Sequence, residues 1–141
     1  MKPQKADSYR KTQIETANPA TLILMLFDRA IVLLDKAKNE ILEKNYEQKG
    51  YSLTKVNNII AELTASLDVE KGGEIATSLK RLYGFVMQQI LDADKNLDTN
   101  AIDNARRIVS DLRESWVRIK DNPDVELQNS DNTATKVDLS G

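Results

Sequence analysis

ATLILMLFDRAIVLL, residues 20–34, carries an apolar side chain at every position except Thr21, Asp28 and Arg29. A membrane-spanning helix needs about 20 such residues and tolerates a central acid and base poorly, so this run is too short and wrongly charged to cross a bilayer. It reads instead as a helix buried on most of its sides. Asn18 before it is a good N-cap, and Pro19 suits the first helical position, where a missing N–H is harmless. The inner stripe Leu22, Leu26, Ala30, Leu33, Ala37 and Ile41 recurs every three or four residues, and Ile23, Phe27, Ile31 and Leu34 widen it beyond an ordinary amphipathic face.

Working outward, the same spacing returns in three further seams. They are Leu53, Val56, Ile60, Leu63 and Leu67; Ile75, Leu79, Leu82, Val86, Ile90 and Ala93; and Ile102, Ala105, Val109, Leu112, Trp116 and Ile119. The polar stretch EKNYEQKGY (43–51) is expected to turn the chain after the first helix. Asp98 or Thr99 caps the fourth, and Pro123 stops it shortly after Lys120. In SLDVEKGGEIA (66–76) the second helix is expected to end near Asp68 and the chain to reverse within DVEKGG. Gly72 and Gly73 would supply the positive φ of that corner, and Glu74 would sit at the positive end of the next helix.

Four helices joined by short turns pack most simply as an antiparallel up-down bundle. The expected fold is therefore all-α, with the four-helix bundle over residues 18–120. Residues 1–17 are polar and carry only Tyr9 and Ile14 as sizeable apolar groups, which predicts an N-terminal arm. Residues 121–141 have apolar side chains without period, which predicts a disordered tail.

Composition narrows the function. The 141 residues suit one domain, and 40% apolar, 30% charged and 5% aromatic content fits a helical globular protein. The chain has no histidine and no cysteine, which removes the commonest general base, the soft metal ligands and the thiol nucleophile together. Histidine phosphotransfer and ferritin-like metal chemistry, both housed in helical bundles, go with them. A non-enzymatic binding module without cofactor or metal is the expectation.

Lys and Arg total 20 against 22 acids, with a pI near 5.3, which argues against nucleic acid as a partner. The acids concentrate in the tail, where Asp121, Asp124, Glu126, Asp131 and Asp138 face only Lys136, so the body before it is mildly basic. The opening MKPQKADSYRKT lacks the apolar core of a signal peptide, so cytoplasmic residence without stable membrane insertion is expected.

Most candidate sites have a plain structural reading. Glu62 with Glu74, and Asp92 with Asp94, can be imagined as acid–base pairs, but nothing sets them in an apolar pocket that would push their pKa values apart. Tyr83 and Met87, one turn apart, read as core filler before they read as a ligand slot. Trp116 reads as a packing anchor. The girth of the first helix is different, because Met25, Phe27, Ile31 and Val32 cannot all point into one bundle. The surplus predicts an apolar surface covered by the arm bearing Tyr9 and Ile14, or by a partner. A symmetric homodimer sharing that surface is the alternative, as a helical scaffold or adaptor.

The order Tyr9, QIETANP (13–19), LILMLFDRAI (22–31), NNIIAELTASLD (57–68), KGGEIATSLKRLY (71–83) and Trp116 resembles the flagellar secretion chaperone FliS family over about residues 9–116. SLD followed by GGEIA and LY at this spacing is its most specific part. The resemblance implies a cytoplasmic export chaperone that binds the C-terminal segment of flagellin and prevents premature polymerisation. It also implies delivery of the subunit to the flagellar type III export gate, and a possible homodimer when client is absent.

By the same resemblance, Tyr9 and Ile14 belong to a displaceable arm, with Tyr9 also implicated at the export gate. Leu22, Met25 and Leu26, with Ile75, Leu79 and Tyr83, are the groove candidates. The helical continuation after Trp116 and the acidic tail depart from the family pattern.

Overall fold

The computed structural model describes residues 18–121, in which four helices occur and no strand. The arm expected over residues 1–17 and the tail expected from Asp121 onward lie outside the described residues, apart from Asp121 itself. The helices are α1 (Pro19–Leu42), α2 (Tyr46–Ala65), α3 (Val69–Asn96) and α4 (Thr99–Asp121). α1 packs against α2 and α4, and α3 packs against the same two, so the helices form a ring in chain order with α1 and α3 at opposite corners. Consecutive helices run antiparallel. On the α1–α4 seam, Lys38 pairs with Asp103, Asp35 with Arg106 and Asp28 with Arg113, one residue number falling as the other rises.

Local chemistry sets the helix ends. Asn18 Oδ1 accepts the Thr21 N–H at 2.8 Å, with Pro19 in the first turn, as the sequence predicts. Asp98 Oδ1 accepts the N–H groups of Asn100 and Ala101 at the start of α4. α1 and α3 both end in a left-handed residue, Lys44 (φ 61°) and Leu97 (φ 54°), each followed by an N–H bonded five residues back, from Asn45 to Glu40 and from Asp98 to Ala93. This is the Schellman closure, built here without glycine.

Two expectations about turns are corrected. The first turn occupies only Glu43 to Asn45, and α2 takes up the rest of the stretch expected to be a turn. The reason is Lys49. It continues the buried face of Leu53 and Val56, but its ammonium reaches Asp94 on α3, so a buried position is written as a charged residue.

Nor is the double glycine the corner. The chain reverses at Ser66 to Asp68, where Asp68 Oδ1 caps α3 by accepting the Lys71 N–H at 3.1 Å. Gly73, at φ 54° and ψ −128°, kinks α3 one turn after its start, in a region that side chains other than glycine's essentially never occupy. Gly72 is needed for a different reason: a Cβ there would lie 2.7 Å from the Ala76 Cβ.

The core runs down the centre of the ring, through Leu33, Leu34 and Ala37 of α1, Leu53, Val56 and Ile60 of α2, Val86, Ile90 and Ala93 of α3, and Ile102, Ala105 and Val109 of α4. A polar contact is enclosed between α1 and α2, where the Ser52 hydroxyl donates to Glu40 Oε1 at 2.7 Å and Lys36 pairs with Glu40. Satisfied in this way, the buried carboxylate fixes the α1–α2 register instead of leaving an uncompensated charge.

Candidate functional site

Following each inner stripe along its helix divides the bundle into two halves. In α4, Ile102, Ala105 and Val109 are wholly enclosed, whereas Leu112, Trp116 and Ile119 on the same stripe are only half-buried. α1 shows the reverse order, with Leu22, Ile23, Met25 and Leu26 half-buried before the enclosed Leu33, Leu34 and Ala37. In α3, Ile75, Leu79 and Leu82 are half-buried and Val86, Ile90 and Ala93 enclosed; the α2 stripe is enclosed through Leu63, and its continuation Leu67, in the turn after α2, is half-buried.

Because the helices alternate in direction, all four changes occur toward one pole. There α1 and α3 begin and α2 and α4 end. The opposite half is closed, and this half is an open apolar pole.

The sequence candidates fall here with one difference in kind. Leu22, Met25 and Leu26 on α1 and Ile75 and Leu79 on α3 are half-buried at this pole. Tyr83 is 4% exposed and belongs to the core cluster, and burial pushes its hydroxyl up to about 12. α1 and α3 stand at opposite corners, so the two sets do not face each other across one groove; they share a pole with α2 and α4 between them. Tyr9 and Ile14 lie outside the described residues.

Of the four residues judged too many for one interior, Phe27 is enclosed, Met25 and Ile31 are half-buried, and Val32 is 56% exposed. Glu62 and Glu74 are exposed, and Asp94 is the partner of Lys49.

Polar groups frame the pole. Trp116 Nε1–H donates to the Ala20 carbonyl at 2.8 Å, so the anchor expected from the sequence also ties the end of α4 to the first turn of α1. Beside it Arg113 pairs with Asp28, and both this bond and the carboxylate's charge hold the guanidinium pKa above its ordinary value. The kink at Gly73 leaves an open hollow lined by Val69, Gly73, Glu74, Thr77, Ser78 and Arg81.

Periodicity gives no sign of this hollow or of Phe85, half exposed on α3 outside its seam. The only available signals are the paired glycines and an aromatic residue out of step with Leu82 and Val86. The arrangement offers a broad apolar surface with a charged rim. Among the described residues no group of three or more acids gathers as a metal site, and no helix is long and apolar enough to cross a membrane.

The family model described as "Flagellar protein FliS" matches residues 1–123. The chain is 37% identical over 121 residues to the flagellar secretion chaperone FliS of Salmonella typhimurium strain LT2, covering 85% of this chain and 88% of that protein. It is 32% identical over 108 residues to the flagellar secretion chaperone FliS of Vibrio cholerae, covering 77% and 79%. With the flagellar secretion chaperone FliSB of Pseudomonas aeruginosa the identity is 29% over 106 residues, covering 75% and 84%.

Proposed function

The chain belongs to the flagellar protein FliS family, and from that premise we propose that it is a cytoplasmic, non-enzymatic flagellar secretion chaperone whose client is the C-terminal segment of flagellin. The open apolar pole carries this reading. Inner-stripe residues that a self-sufficient bundle would enclose are left half-buried at one end, on α1, α3 and α4 and at Leu67 in the turn after α2. An apolar chain segment without structure of its own can complete that interior, and the wrapped area offsets the entropy it loses on ordering. A client held in this way is denied to other flagellin subunits, and delivery to the type III export gate follows while it is bound.

In this reading Leu22, Met25, Leu26, Ile75 and Leu79 contact the client, and Tyr83 supports the surface from beneath. Tyr9 and Ile14 on the arm compete for the same pole, and Tyr9 serves again at the export gate. Competition lowers apparent affinity by the fraction of molecules whose pole is covered.

Titration with a synthetic flagellin C-terminal peptide in a calorimeter tests the proposal. Binding with a negative heat-capacity change is expected, and the absence of both heat and a complex on gel filtration would defeat it. Removing residues 1–17 should leave the affinity unchanged or raise it.

A further inference from the structure

The α1–α4 seam changes character along its length. Three ion pairs cross it, and two of them, Lys38 with Asp103 at 2.9 Å and Asp35 with Arg106 at 2.7 Å, flank the wholly enclosed stretch of α4. Breaking either would expose little, because Ile102, Ala105 and Val109 hold that stretch independently. The third pair, Asp28 with Arg113, lies beyond Val109, and from Ser110 to Ile119 no residue is fully buried. What fixes α4 there is half-buried apolar contact, this one partly exposed ion pair, and the Trp116 bond to the Ala20 carbonyl. Partly exposed ion pairs contribute little and are screened by salt. A segment with few enclosed contacts opens locally at far lower free energy than the whole domain.

We propose that residues 110–121 of α4 form a strap that undocks from α1 and unwinds as a unit while the closed half stays folded, with Val109 the last fixed point. Trp116 bonds over the first turn of α1, so undocking uncovers that turn and widens the open pole. The value of this movement for admitting a client rests on the function proposed above; the movement itself does not.

Hydrogen exchange on the full chain, followed by mass spectrometry without client, tests it. Amides of residues 110–121 should exchange at least about tenfold faster than those of residues 101–109. The gap should widen as salt is raised to about 1 M, where screening acts within about 3 Å.

Asp28→Asn should accelerate the strap alone and make Trp116, the single tryptophan of the chain, more accessible to acrylamide quenching at unchanged far-UV circular dichroism. The chain contains no cysteine, so Asp28→Cys and Arg113→Cys joined by a bismaleimide form a clean lock, which should slow the strap toward the rate of residues 101–109. Equal rates for the two stretches at low and high salt would overturn the proposal, as would a lock that leaves the strap's rate unchanged. No flagellin is needed, so failure of the strap and failure of the chaperone reading are observed separately.

Discussion

Lys49 of α2 places its ammonium 2.6 Å from Oδ1 of Asp94 on α3 and 3.1 Å from the same residue's backbone carbonyl, the lysine side chain 9% exposed and the aspartate 46%. The two partners are therefore not equivalent. Asp94→Asn leaves an enclosed ammonium with a weaker acceptor and should destabilise the fold by about 1–3 kcal/mol. Lys49→Met keeps the stem's volume and leaves only a carboxylate that water reaches, so it should change stability by less than about 1 kcal/mol. Urea denaturation of both variants checks the order; a larger loss for Lys49→Met would contradict it.

Two backbone positions should respond in opposite directions to exchanging glycine. Lys44 is exposed at φ 61°, and Lys44→Gly should stabilise the protein by about 1 kcal/mol through relief of left-handed strain. Gly73 at φ 54° and ψ −128° accepts no side chain comfortably, and Gly73→Ala should destabilise by about 1–3 kcal/mol. Midpoints moving in opposite directions at unchanged denaturant slope would show both as changes in stability.

These residues also mark where the sequence stops being legible. The four seams announce themselves by period, and Asn18, Pro19 and Asp98 announce their caps, since each rests on short-range geometry. Lys49 hides the first turn and a half of α2, because a charged letter at an inner position looks like a turn until its partner 45 residues away is known. Gly72 and Gly73 advertise unusual backbone without saying whether it is a corner or a kink. The surplus apolar girth of α1 points to an incomplete interior, but its location at one pole, shared by α1, α3 and α4, depends on where each stripe meets its neighbours. Tyr83 illustrates the limit: its letter and spacing do not separate a groove wall from the core.

Core and pole should separate under alanine. Leu34 is wholly enclosed, and Leu34→Ala should destabilise by about 2–5 kcal/mol. Leu22 is half-buried, and Leu22→Ala should lose about 1 kcal/mol. For binding of a flagellin C-terminal peptide the order should reverse, with Leu22→Ala weakening the complex and folded Leu34→Ala leaving it nearly unchanged. Equal effects of the two on peptide affinity would remove the pole from the binding surface.

Alkaline pH should report on Tyr83. Its pKa is raised from 10.0 to about 12 by burial, so between these values the unfolded chain loses a proton that the folded chain keeps. The contribution is fully present below pH 10 and disappears as pH rises toward 12. Unfolding midpoints across this window should fall more steeply for the parent protein than for Tyr83→Phe. Parallel curves would contradict the assignment.

Asn18 and Asp121 both leave the bundle at its unfinished end, joined there through Ala20 and Trp116. A fluorophore or surface tether attached at Asn18 or at Asp121 would therefore crowd the working face, whichever of the two is chosen. The turns around Lys44 and Leu97 lie at the far end, and immobilisation through Lys44 would present every molecule with its receptive end outward.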